Sequence, residues 1–131
     1  MRIVLDPNVL VSGLLSPHGP PGRIVDLVLA GAVTPVVDDR ILAEYREVLG
    51  RTRFPFDARD VAALLARIDA AAEHVAARPL ARLLPDPDDM PFVEVAVAGR
   101  VEALVTGNAR HYPDVDEVEV VSPGDWLRRL S

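Results

Sequence analysis

The chain has 131 residues, half of them hydrophobic, with a formal net charge of −6 and no cysteine. All 14 basic residues are Arg. That excludes a P-loop, which needs Lys on the phosphates, Schiff-base chemistry, which needs an amine, and a receiver-type phosphorylation site with its Lys. Thiol catalysis, thiolate metal sites and disulfides fall with the missing cysteine, and no apolar run reaches the roughly 18 residues of a membrane span.

In chain order, Arg2-Ile3-Val4-Leu5 is a short apolar run ending at Asp6-Pro7, which predicts a buried strand with a turn at its carboxyl end. Asn8 to Leu15 reads as a short helix stopped by Ser16-Pro17-His18-Gly19-Pro20-Pro21-Gly22. A helix over Arg23 to Ala30 follows, with Gly31 as its stop. Val33 to Val37 predicts a second strand, and Asp38-Asp39 supplies a capping carboxylate for a helix reaching Leu49. Asp57 and Asp60 resemble a capping pair before an Ala-rich helix over Val61 to Ala72. His74 to Ala77 is expected as a short strand, Phe92 to Ala98 as a helix, Ala103 to Val105 and Val118 to Val121 as strands, and Asp125 to Leu130 as a closing helix. No repeat, low-complexity tract or linker interrupts them, so one domain over residues 1–131 is expected, in a soluble cytoplasmic protein without membrane contact. Alternation of strands and helices favours a parallel sheet covered by helices, in which ligands gather beyond the carboxyl ends of the strands.

Two polar residues are delivered there directly. Asp6 ends the first strand, and Asn108 follows the run Ala103 to Gly107. The other candidates lie on helices, where a period of about 3.6 residues decides which side chains point inward. Between Asp39 and Leu49 the residues Ile41, Leu42, Tyr45, Val48 and Leu49 form one stripe, with Glu44 at its border and Glu47 well away from it. A carboxylate beside an apolar face loses hydration, so Glu44 requires an explanation that Glu47 does not. In Leu84-Pro85-Asp86-Pro87-Asp88-Asp89-Met90-Pro91-Phe92, Asp89 shares the inward stripe with Val93 and Ala96, while Asp88 and Glu94 project elsewhere. Asp88 is expected to cap or simply solvate the helix end, and Asp86 to lie outside the innermost acids. A helix amino terminus offsets part of the crowding of the three acids, by about 0.3–1 kcal/mol.

Carboxylates with a carboxamide oxygen form a hard donor set suited to Mg²⁺ or Mn²⁺. One or two such ions, about 4 Å apart in paired sites, activate water and stabilise a leaving oxygen in phosphodiester hydrolysis. A bound cation would also let an acidic protein hold a polyanion. Bulk electrostatic binding of nucleic acid is otherwise disfavoured by the charge, leaving only local Arg patches such as Arg51 and Arg53. Three Phe, two Tyr and one Trp are few enough that no base-stacking platform is expected.

Four stretches carry a resemblance to a known family: Val4 to Gly13, Ile41-Leu42-Ala43-Glu44-Tyr45, Asp86 to Phe92 with Ala96, and Leu104-Val105-Thr106-Gly107-Asn108. In this order they resemble the motifs of the PIN domain, in particular the VapC-like ribonuclease toxins of prokaryotic toxin-antitoxin pairs. The resemblance implies a three-layer α/β/α sandwich around a mostly parallel five-stranded sheet. It also implies cleavage of RNA, divalent metal at an acidic pocket, a small antitoxin partner and a homodimer. Carried over by position, Asp6, Glu44 and Asp89 match the acidic metal-site positions, and Asn108 takes the fourth, where many relatives have Asp. Asn8, Ser12, Asp86 and His111 stand around that set, His111 at a place where some relatives with Asn at the fourth position carry an Asp. Pro7 departs from the Thr usual after the first acid.

The expected function is therefore metal-dependent endoribonucleolytic cleavage by Asp6, Glu44, Asp89 and Asn108. Its rival is an inactive PIN fold kept as a protein-interaction module, suggested by Asn108, His111 and Pro7. A phosphatase or DNA-directed nuclease with the same metal chemistry is the second enzymatic alternative.

Overall fold

A computed structural model describes residues 1–130; Ser131, the last residue of the expected domain, lies outside the described residues. Five strands, β1 (Arg2–Leu5), β2 (Thr34–Val37), β3 (Glu73–His74), β4 (Ala103–Val105) and β5 (Val120–Val121), pair in the order β3-β2-β1-β4-β5. Every pairing is parallel, with Ile3 opposite Pro35 on one side and Ala103 on the other. Parallel pairing requires crossovers, supplied up to β4 by α1 (Pro7–Leu15), α2 (Pro20–Leu29), α3 (Asp39–Leu49), α4 (Ala58–Ala71) and α5 (Met90–Gly99); the β4–β5 connection carries only the 3-10 turn Ala109–His111, and α6 (Pro123–Arg129) follows the last strand. No described helix is long and apolar enough to cross a membrane.

The elements begin and end for local reasons. Asp38 accepts from the Ile41 amide and Asp57 from the Arg59 amide, capping α3 and α4 as their sequences predict. Gly31 after α2 takes a positive φ of 79°, the left-handed stop that Gly adopts without a Cβ penalty. The second helix starts earlier than expected because Pro20 and Pro21 occupy its first turn, where a missing N–H costs nothing. The second strand starts one residue late at Thr34, and two strands are cut to a pair of residues: the third ends at His74 and the fifth is only Val120–Val121. Both lie at sheet edges, with a single neighbouring strand to extend their pairing.

Arg100 ends α5 in the left-handed region, φ 50° and ψ 48°, where a side chain is strained and Gly is preferred. Arg100→Gly is therefore expected to raise stability by about 0.5–1 kcal/mol, read as a higher unfolding temperature.

Ile3, Val4 and Leu5 are fully enclosed, as are Leu104 and Val105 beside them, which explains why the central strands read as unbroken apolar runs. Helix α5 packs across β1, β2 and β4 and also touches α3. Tyr45 of α3 is completely buried, and its hydroxyl donates to the Leu5 carbonyl at 2.6 Å. This bond fastens α3 to the carboxyl end of β1 and sets the position of the neighbouring Glu44. One helix residue departs from its expected place: Glu94, predicted to project away, is 6 % exposed. It receives Arg40 at 2.7 Å and the Leu80 amide at 2.9 Å. Periodicity within α5 could not anticipate that the Leu80 segment returns to cover this face.

Candidate metal centre

The chain leaves β1 toward β2 and β3, then returns to β4 on the other flank of β1. The crevice beyond the carboxyl ends of β1 and β4 is thus the topological switch point, the usual ligand position in open parallel sheets. Asp6 lies there, 4 % exposed, with its amide bonded to the Val105 carbonyl at 2.9 Å. Its Oδ1 accepts from the Asn8 amide at 3.0 Å, and its Oδ2 accepts from the hydroxyls of Thr106 at 3.1 Å and Tyr112 at 2.8 Å. Tyr112 is buried, and that burial, together with Asp6 and Asp89, holds its hydroxyl far above the ordinary titration range. It therefore remains a donor, locking the Asp6 carboxylate in one orientation.

Asp86, Asp88 and Asp89 divide their work. Asp86 accepts from the Asp88 amide and caps the 3-10 turn Pro87–Asp89, the capping role expected of Asp88. Asp88 is exposed. Asp89 begins α5 without making a side-chain cap and faces inward, where burial and then the charge of Asp6 push its carboxyl up to about 6. One oxygen of Asp89, one of Asp6 and a ring nitrogen of His111 lie within 4.8 Å of one another. Asp89 Oδ2 and His111 Nδ1 are both buried without a hydrogen-bond partner, 3.5 Å apart.

A cavity of about 330 Å³ opens over this group, and Glu44, Asp86, Asn8 and Ser12 also line it. Glu44 is outside the tightest cluster; partial burial, then Glu47 and Asp88, raise its affinity for a proton. Asn8 ties the rim together by accepting from the Gly107 amide at 3.1 Å. Asn108 takes a different place from the acids. Its side-chain oxygen accepts from the Arg110 amide and caps the 3-10 turn Ala109–His111, and it is not among the residues lining the cavity. That turn presents His111, which occupies the position beside the acids.

Sequence reasoning missed two residues that hold Asp6. Thr106 lies within a quoted motif but carries no mark of its role, and Tyr112 has no periodic context at all. The donor set fits a divalent cation: hard carboxylate oxygens, one imidazole nitrogen, and two buried polar atoms that make no hydrogen bond and only a long 3.5 Å contact with each other, a condition that native interiors avoid.

Residues 2–110 match the sequence profile of the PIN domain. No curated protein matches the chain by sequence. Among solved structures, the fold is similar to a chain in the crystal structure of VapBC2 from Rickettsia felis bound to a DNA fragment from their promoter. The TM-score is 0.60 at 14% identity, over 93% of this chain and 98% of the other, a likeness of fold. With four ordered motifs, a five-stranded parallel sheet and a profile match over most of its length, the chain belongs to the PIN domain family.

Proposed function

We propose that the chain is a metal-dependent endoribonuclease, with Asp6, Glu44 and Asp89 as the acids that hold a divalent ion and His111 beside them. The observation that carries this reading is the pair of buried atoms without a hydrogen bond, Asp89 Oδ2 and His111 Nδ1, clustered with Asp6 at the switch point. A divalent ion there would supply positive charge that draws in the scissile phosphate and makes it more open to attack by water. The protein's own part is positional. Thr106 and Tyr112 fix Asp6, the Asn108 cap presents His111, and the amino terminus of α5 presents Asp89. The cavity has room for a phosphodiester. Family membership together with the fold likeness to a chain of VapBC2 supports a toxin role, with a small antitoxin as partner and a homodimer as the assembly, in the cytoplasm.

Imidazole beside carboxylates favours Mn²⁺ over Mg²⁺, which prefers an all-oxygen shell. Calorimetry should therefore show tighter binding of Mn²⁺, and His111→Ala should weaken it about ten-fold while changing Mg²⁺ binding less. Competition among RNA, DNA and a small phosphoester, with and without chelator, tests the reaction itself. Metal-dependent cutting of RNA is expected. A chain that binds neither ion refutes the enzyme and favours the interaction module, the reading to which the turned-away Asn108 lends support.

A further inference from the structure

Next to the acid cavity lies a larger one of about 550 Å³ between α3 and α4, walled by Leu42, Leu49, Phe56, Val61 and Leu65. Two residues, Arg51 and Phe54, line both. They belong to the loop between the α3 cap at Gly50 and the α4 cap at Asp57. Phe54 and Phe56 stack, with ring centroids 5.4 Å apart and planes 17° from parallel, and the Arg53 guanidinium lies 4.9 Å from the Phe54 centroid. Three of the chain's five Phe and Tyr residues, Tyr45, Phe92 and Tyr112, are too deeply buried to meet a ligand, yet this pair is only half-buried.

Three Arg residues follow the same path: Arg53 at the acid cavity, Arg51 at the shared wall and Arg46 at the larger cavity. Arg51 pairs with Glu47 at 2.9 Å, whereas Arg46 and Arg53 make no ion pair among the described residues. Asp69 lies in the same lining, where it pairs with His74 at 2.8 Å. In a protein of net charge −6, a run of cations leading from the acids to an apolar chamber is the arrangement that suits phosphates outside and a base within.

We propose that the α3–α4 cavity is a nucleobase subsite. An unpaired nucleotide next to the scissile phosphate places its base against the Phe54–Phe56 pair, while Arg51 and Arg53 hold the phosphates between the two cavities. This rests on the ribonuclease reading and adds to it the place where an unpaired base would be held. A paired base cannot enter a side chamber without first leaving its stack. The few aromatics of the sequence thus suffice, because two of them are concentrated where the strand would pass.

The test uses Phe54→Ala and Phe54→Trp in an Asp89→Asn background, so that RNA stays intact. Short labelled oligouridine and a duplex of equal length are titrated by anisotropy. Phe54→Ala should weaken oligouridine binding about ten-fold or more, the scale of one lost base–aromatic stack, with an unchanged unfolding temperature. Phe54→Trp should restore binding, and its fluorescence should be quenched by oligouridine but not by the duplex; buried Trp126, 2 % exposed, should not respond. Equal binding by Phe54→Ala and its parent, or equal quenching by the duplex, overturns the subsite. Where the unsubstituted protein cuts RNA with Mn²⁺ but Phe54→Ala cuts it with the same KM, the subsite alone fails. Absence of any cutting by the unsubstituted protein overturns both readings.

Discussion

Asp89→Asn should abolish metal-dependent RNA cleavage, a loss on the order of 10²–10³-fold, and yet make the metal-free protein more stable. The two effects share one cause. Asp89 lies beside Asp6 in a partly buried crevice, and burial followed by the Asp6 charge pushes its carboxyl from 3.8 up to about 6. A group whose folded value exceeds its unfolded value binds its proton more tightly when folded. The contribution of Asp89 to the stability of the metal-free chain is therefore least favourable above about pH 6 and improves as pH falls from there toward 3.8. Each unit of such a shift corresponds to about 1.4 kcal/mol before screening, and water reaching the crevice reduces the total penalty to about 1 kcal/mol. An amide at this position carries no charge to bury, so Asp89→Asn should melt about 3–5 °C higher at pH 7.5 without metal. It should also show a smaller rise in stability between pH 7 and pH 5 than its parent, since Glu44 is the raised acid that remains. Thermal unfolding with and without Mn²⁺ checks both halves: Mn²⁺ should stabilise the parent and leave the variant unmoved. A variant that melts lower than its parent without metal would mean that Asp89 is a structural residue and that the strain assigned to it is absent.

Glu94→Ala should cost about 2–3 kcal/mol, the largest loss of stability expected from any single exposed-looking position in the sequence. Glu94 is held by Arg40 at 2.7 Å and by the Leu80 amide at 2.9 Å, and Arg40 also reaches Asp38, the cap of α3. Removing the carboxylate leaves the Leu80 amide without its partner and deprives Arg40 of its more buried acid. Arg40 itself is 46 % exposed on its side chain, so it regains water, which keeps the cost below that of a fully buried pair. Glu94→Gln retains an acceptor for Leu80 and should lose about half as much. Denaturant unfolding measures the totals. Proteolysis within residues 75–86, which run from β3 toward Asp86, should accelerate in Glu94→Ala more than in Glu94→Gln, because the Leu80 amide is one of the tethers of that segment, beside buried Leu84 and the Arg82–Glu117 pair.

The elements of this protein follow from nearest-neighbour chemistry. Apolar Ile3-Val4-Leu5 before Asp6-Pro7 predicts a buried strand and a turn, Asp38 and Asp57 announce the helices they cap, and Gly31 marks a stop. Helical periodicity distinguishes Glu44, which lines the acid cavity, from Glu47, which pairs with Arg51 on the surface. It likewise turns Asp89 inward and Asp88 outward. The same periodicity misplaced Glu94, because it describes one helix and knows nothing of the segment folded over it.

What the sequence by itself determined is the menu: strands and helices in alternation, their ends, and the acids aimed at the sheet's carboxyl edge. The tertiary structure decided the company those acids keep. Asp6 meets Thr106 and Tyr112, 100 and 106 residues away in the chain, because β4 lands beside β1 and not beyond β3. His111, carried by a turn that Asn108 caps, arrives next to Asp89 by the same strand order. Local pattern reports which face of an element is wet or dry, whereas partners across a parallel sheet depend on where each crossover returns, and that is settled only when the whole core closes.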